Sequence, residues 1–402
     1  MSVVSVIPDL LEAASRDLHN LGEVIEEANV ASFLPTTAMG APALDEVSGA
    51  ITKLLNGYGA AYWELAKQAQ GFHELFTQAV SEAGQAYSAT EQFSGTTLML
   101  GGTGAPTWPA GLLGPIEQAY GLLTNVTQVS TPEQMWPFVG NMTFNQSVAV
   151  GVQNLNAAIS STPGNIQVWA CSQSSTIATE EIRNLMAAGS PDQGRLSFIL
   201  TGDPNNPNGG ILERFTGMTI PGMGITGSGA TPPNSPYPTA IFTNQYDPVS
   251  DFPQYPLNAV ADLNAVLGLV QHDYTFPTSD YVQLAASPGY TGQTSYYEYL
   301  DPNLPLVELF RYYLPQPWGN AVADLLQPDL RVLVDMGYGS GYANVPTPAS
   351  LFPHHDWFHI LPDLAHGAMQ GVQGFAHDLG FPVAAPTGYP YSPVLYPDLN
   401  YS

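Results

Sequence analysis

The sequence predicts an α/β chain, a mostly parallel sheet with flanking helices, preceded by an α-helical hairpin. Three observations predict it. Apolar residues in the first ninety or so positions recur at three- and four-residue spacing, the period of an amphipathic helix. From about residue 96 onward, short β-prone runs alternate with helical stretches, as they do where helices cover both faces of a parallel sheet. Finally, the run Ile166-Gln167-Val168-Trp169-Ala170 passes through Cys171-Ser172-Gln173-Ser174 straight into a helical pattern.

The N-terminal unit is expected over residues 1–92. Pro8 stands where the first turn of a helix tolerates proline, and Leu11, Ala14, Leu18, Leu21, Ile25 and Ala28 follow on one face. Pro35-Thr36-Thr37 and Gly40-Ala41-Pro42 break the pattern. A second run then places Ile51, Leu54, Tyr58, Tyr62, Leu65, Ala69, Phe72, Phe76 and Ala79 on one stripe. At its rise per residue this second helix is roughly 60 Å long, more than its shorter partner can cover. The uncovered stripe either packs on the remainder of the chain or completes a four-helix bundle with another protein.

Beyond a Gly/Thr-rich joint, strands are expected at 97–100, 167–170, 196–200, 240–243 and 331–334. Helices are expected at 145–159, 177–186 and 259–270. The Pro-rich block 203–238 is too long for a simple connection and reads as a loop or cap over the sheet end. These elements make a second domain of residues 96–376. Residues 377–402 form a Pro/Tyr-rich tail without periodicity, extended or disordered.

Composition removes several classes of function. The 402 residues include 8 Lys+Arg against 34 Asp+Glu, a formal net charge of -26, although charged residues make up only 10% of the chain. So acidic a surface repels phosphate backbones, which argues against nucleic acid as a partner. With one cysteine, Cys171, no intramolecular disulfide can form. No transmembrane segment is expected. A cleaved secretory signal is not expected either, because the first seven residues carry no basic residue and a helical pattern follows at once.

The turn at Ser172 is where chemistry is expected. A strand entering a tight turn and leaving as a helix lifts a serine hydroxyl above the sheet edge and points helix N-terminal N–H groups at a reacting carbonyl. Such a turn needs small residues two before and two after the serine, and Ala170 and Ser174 are small. A serine nucleophile also needs a base and an acid that orients the base. In α/β-hydrolases they follow in the order Ser, Asp or Glu, His. Asp247 lies in Tyr246-Asp247-Pro248 just past the expected strand 240–243, with Asp251 as its rival, and His272 follows the helix 259–270. Oxyanion donors are expected from the N–H of Gln173 and from Gly102 or Thr103 in Gly101-Gly102-Thr103-Gly104. If Ser172 faces the site, the alternation of a strand turns Cys171 into the core. His355 and His359 have metal-ligand spacing, but no further ligand motif joins them, and no metal or other cofactor is expected.

Two resemblances add to this reading. Met1-Ser2, Pro8-Asp9, Pro35-Thr36-Thr37-Ala38, Asp45-Glu46-Val47-Ser48 and Gln68-Ala69-Gln70-Gly71-Phe72-His73 resemble the N-terminal domain of the mycobacterial PE proteins, with Asp9 in place of the family's glutamate. Tyr87-Ser88-Ala89-Thr90-Glu91 is similar to the Tyr-x-x-x-Asp/Glu export signal of type VII secretion substrates, here Tyr87 and Glu91. The resemblance implies export to the cell wall or surface without a cleaved signal, as a helical pair with a PPE-family protein.

Leu100-Gly101-Gly102-Thr103-Gly104, Ser172-Gln173-Ser174, Thr201-Gly202-Asp203-Pro204-Asn205, Asn208-Gly209-Gly210-Ile211-Leu212, Tyr246-Asp247, Asp251-Phe252-Pro253 and Val345-Pro346-Thr347-Pro348 resemble, in order, the hydrolase domain called PE-PPE. That family is similar to cutinase-like serine esterases, which implies action on acyl esters or acyl transfer between cell-envelope glycolipids. Its Gly-x-Ser-x-Ser/Gly pentapeptide falls on residues 170–174 and carries the nucleophile's role to Ser172; its acid and base fall on Asp247 and His272. Ala170 departs from the family's glycine, and an added methyl there could shift the nucleophile. Reduced or altered activity is expected. The other reading is a hydrolase scaffold that has lost activity and serves as a surface interaction protein with its PPE partner.

Overall fold

The computed structural model describes residues 8–43, 45–93, 95–123, 125–269, 278–395, 397, 399 and 400. The chain divides into two compact units, Met1–Ser94 and Gly95–Ser402.

In the first unit, α1 (Pro8–Thr37) and α2 (Glu46–Phe93) run antiparallel. Ser15 meets Thr77, the His73 ring nitrogen Nε2 lies 2.7 Å from the Leu18 carbonyl, and the Tyr62 hydroxyl donates to Asn29 at 3.2 Å. Asp45 caps α2 by accepting the Ser48 N–H at 2.8 Å, and this bond and the Ser48 hydroxyl hold its carboxyl below the usual range. With 48 residues against 30, α2 extends to about 72 Å and outruns α1. Ile51, Leu54, Tyr58, Leu65 and Phe72 are exposed along it.

The second unit is an α/β layer structure, as the alternation of apolar and helical runs predicts. Its elements in order are β1 (Thr96–Met99), α3 (Ala110–Tyr120), β2 (Asn125–Gln128), α4 (Phe144–Ser161), β3 (Ile166–Cys171), α5 (Gln173–Ala187), β4 (Leu196–Thr201), α6 (Ile211–Arg214), β5 (Thr219–Ile220), β6 (Ile225–Thr226), β7 (Thr239–Asn244) and α7 (Ala259–Gly268). A 3-10 turn at Thr278–Asp280, β8 (Val282–Gln283), β9 (Thr294–Tyr299), α8 (Pro305–Tyr313), α9 (Trp318–Asp335) and α10 (Trp357–Asp378) complete it. The seven-stranded sheet has the order β2-β1-β3-β4-β7-β9-β8, and every neighbouring pair is parallel except β8 with β9.

Both sheet faces are covered. Leu98, Leu100, Val168, Ala170, Phe198 and Leu200 pack against α4 and α5 through Val148, Leu155, Ile177 and Ile182. On the other face, Met99, Trp169, Cys171 and Phe242 meet Ile116 and Tyr120 of α3. Burial on both sides explains why the central strands read as unbroken apolar runs. Thr143 and Gln146 start α4 with a capping box.

The expected strand at 331–334 is a correction: Arg331-Val332-Leu333-Val334 lies in α9. Its β-branched residues read locally as a strand, but Ala321, Asp324, Pro328, Arg331 and Asp335 carry a buried face at helical spacing through the whole segment. The block 203–238 holds α6 and the β5–β6 hairpin, so it is more structured than a loop. Residues near the C-terminus lie along α9 and α10. The Tyr389 and Tyr391 hydroxyls donate to Asp335 and Asp324 at 3.1 and 2.8 Å, and Leu399 is buried beside Val332 and Ile360.

Candidate active site

The sheet order places the ends of β1, β3, β4 and β7 side by side along one carboxyl edge, the edge at which open α/β sheets bind ligands. Ser172 follows β3 directly. Its φ of 57° and ψ of -118° belong to a region side-chain-bearing residues rarely enter, at a cost of about 1–3 kcal/mol. The surroundings impose it. The Ser172 N–H donates to the Thr201 carbonyl at 2.9 Å, the Ser172 carbonyl accepts the Ser175 N–H at 2.9 Å, and α5 starts at the next residue. The side chain is half-buried.

Ser174, two residues after Ser172, fastens the turn. Its hydroxyl accepts the Cys171 N–H at 2.8 Å and donates to the Gly101 carbonyl at 2.5 Å, joining the turn at Ser172 to the loop after β1. Ala170 lies in the extended strand with its methyl buried in the core. The position makes no demand for positive φ, so alanine fits there.

The loop after β1 needs glycine at 101, where any side chain would strike the Ala105 carbonyl. A Cβ on Gly102 would lie 3.7 Å from the Ser172 Cβ, so that loop flanks Ser172. The Gly102 N–H is engaged with the Ala105 carbonyl at 3.1 Å. The Thr103 hydroxyl donates to Gln173 Oε1 at 3.1 Å, Gln173 Nε2 donates to the Gln134 carbonyl at 3.0 Å, and the Gly104 N–H donates to the Glu133 carbonyl at 2.8 Å. Gln173 thus links three segments, while its own N–H belongs to the first turn of α5, where no intrahelical acceptor exists.

Asp247 is buried in the loop after β7. Its Oδ1 accepts the Val249 N–H at 3.1 Å, and its Oδ2 accepts the Ser250 hydroxyl at 2.6 Å. Asp251 turns elsewhere: its Oδ2 accepts the Tyr246 N–H at 2.8 Å, and it borders a cavity of about 40 Å³ with Arg214, Glu298 and Tyr338. Burial pushes the Arg214 guanidinium down to about 10, an effect that Asp251 opposes, and raises Glu298 well above the carboxylate range, with Asp251 adding to the rise. His272 lies outside the described residues.

Burial drives the Cys171 thiol up to about 12, with the nearby Asp247 and Glu133 carboxylates adding to the rise. The thiol points into the core between strand and α3, and it is not a nucleophile at neutral pH. Sequence reasoning missed Glu133. It is fully buried at a φ of 47°, its Oε1 accepts the Thr131 hydroxyl at 2.6 Å, and its Oε2 has no partner among the described residues. Burial raises this carboxyl to about 7. Thr-Pro-Glu-Gln reads as a surface turn, and no local signal marks it as buried.

His355 pairs with Asn400 and His359 with Asp356, each at 2.7 Å, and the described residues contain no group of three or more ligands able to hold a metal ion. Tyr87 and Glu91 fall in the last turns of α2; their side chains are outside the described residues. No described helix is long and apolar enough to cross a membrane.

Comparison with known proteins gives consistent matches. Residues 4–94 match the family described as PE family, and residues 123–339 match the PE-PPE domain. The chain is 42% identical to PE family protein PE3 of Mycobacterium tuberculosis (strain ATCC 25618 / H37Rv), over 100% of its own length and 94% of that protein's. It is 39% identical to Esterase PE16 of the same strain over 88% of its length and 73% of the esterase's. It is also 34% identical to SL1278 acyltransferase Chp1 of that strain, over 56% of each chain.

Proposed function

The chain belongs to the PE family and carries a PE-PPE domain, and from that premise we propose that it is an exported serine esterase or acyltransferase acting on lipid or glycolipid acyl esters of the cell envelope. Ser172 is the nucleophile, His272 the base and then the acid, and Asp247 the carboxylate that orients it. Residues 1–92 dock a PPE-family protein and carry the export signal at Tyr87 and Glu91, residues 96–376 perform the chemistry, and residues 377–402 are the C-terminal tail. The exposed stripe on α2 supports docking, and the esterase and acyltransferase among the relatives support the activity.

One observation carries this reading: Ser172 is held at φ 57° between β3 and α5, at the carboxyl edge of a parallel sheet. A backbone conformation this costly for a serine presents the hydroxyl at the head of a helix, which supports a functional role. As Ser172 Oγ attacks the ester carbonyl, its proton passes to His272, and the oxyanion develops beside the Gln173 and Thr103 N–H groups. Collapse expels the alcohol with that proton. Water or a second hydroxyl, deprotonated by His272, then releases the acyl group. No cofactor enters these steps. Asp247 is favoured over Asp251 because it stands near Cys171 at the end of the nucleophile strand, whereas Asp251 faces Arg214. Ala170, accommodated in the core, supports an active enzyme over the inert scaffold.

A fluorophosphonate probe tests this. Wild-type protein should be labelled at Ser172, and Ser172→Ala should lose both labelling and ester turnover. Equal labelling of the two proteins would sink the assignment.

A further inference from the structure

We propose that Trp136 and Phe138 form the subsite that receives the acyl chain, an inference that rests on the serine-hydrolase reading and gives it a substrate class: esters of apolar chains long enough to pass the oxyanion loop. The segment 134–142 begins at the active site. The Gln134 carbonyl accepts the side-chain amide of Gln173, the residue after the nucleophile, at 3.0 Å. A Cβ on Gly104 would lie 3.7 Å from a Val139 methyl, so the same segment packs on the loop that flanks Ser172.

Its neck is tied closed. Gln134 Oε1 accepts the N–H groups of Asn141 and Met142 at 2.9 and 3.0 Å, the Trp136 N–H donates to the Met142 carbonyl at 2.8 Å, and Met135 and Val139 form a bridge. This fixed projection holds Trp136 46% exposed and Phe138 71% exposed. Two aromatic rings held in water on a segment anchored to the residue after Ser172 offer an apolar surface that a ligand can cover. Residues 134–142 contain no charged side chain, and the molecule's net charge of -26 turns away anionic partners, so the surface suits an uncharged hydrocarbon chain.

Two measurements test the subsite. The first compares p-nitrophenyl acetate with p-nitrophenyl octanoate for wild type and for Trp136→Ala/Phe138→Ala. The double variant should keep kcat/KM on acetate within about twofold and lose about tenfold on octanoate, because only the longer chain reaches the rings. An equal loss on both esters marks a structural role and overturns the proposal, as does an unchanged ratio. The second measurement needs no turnover. Neutral 12-bromododecanol should quench wild-type and Ser172→Ala fluorescence alike and quench Trp136→Phe less. If neither ester is cleaved while Trp136 is still quenched, the hydrolase reading fails and the apolar site stands. Equal quenching of wild type and Trp136→Phe removes the site, and the exposed rings then belong to a protein contact.

Discussion

Glu133 shows how one side chain couples the site to pH. Its carboxyl ordinarily titrates near 4.5 and is raised by burial to about 7, so between those values the folded protein holds a proton that the unfolded chain has released. Stability therefore falls as pH rises from about 4.5 to about 7, and the loss is complete above that range, at most about 3 kcal/mol. Glu133→Gln should melt higher than wild type at about pH 8 and equal to it near pH 4; a difference independent of pH would refute the account. The nearby network makes a second prediction. Gln173→Ala removes the amide that joins Thr103 to the Gln134 carbonyl, and it should slow fluorophosphonate labelling about tenfold or more and lower the melting temperature by a few degrees. Of the residues at this edge, Ser172 was legible because a tight turn restricts its neighbours to small side chains. Asp247 and Asp251 were not separable, since their difference lies in what each faces across the fold. Glu133 was invisible for the same reason.

At the level of elements, legibility follows burial. The central strands β1, β3, β4 and β7 are apolar on both faces and announced themselves. β9 did not, because its inward positions are Thr294, Tyr296 and Glu298, two of them polar and one a tyrosine. α9 misled at 331–334 because four residues cannot display a helical period, whereas the longer run from Ala321 does. The segment after α10 lacks any period and still packs, through side-chain bonds that composition cannot reveal: Gln370 Nε2 donates to the Thr387 carbonyl at 2.9 Å, and Tyr389 and Tyr391 reach Asp335 and Asp324. Burial already raises Asp335 to about 6 despite the adjacent Arg331. A chain ending at Gly380 would strip these partners and uncover Val332 and Ile360. It should lower the melting temperature by on the order of 5 °C or more, as read by calorimetry.

Across the whole molecule, the two units have different physics. The hairpin is built from neighbours along two helices, with an apolar stripe left in water, while the sheet unit has closed cores of its own. Residues 95–402 alone should therefore melt cooperatively and retain fluorophosphonate labelling of Ser172; loss of both would show that the hairpin is required for the fold. The contacts that steady the loop around Asp247 come from far along the chain. Arg214 is held by Thr347, Tyr246 by Asp335, and Gln245 by the Val394 carbonyl, 149 positions away. During synthesis, then, the serine turn can form while the loop after β7 still lacks its support, and such distant pairings close slowly. A ribosome must therefore release nearly all of the 402 residues before the loop around Asp247 gains the partners that hold it.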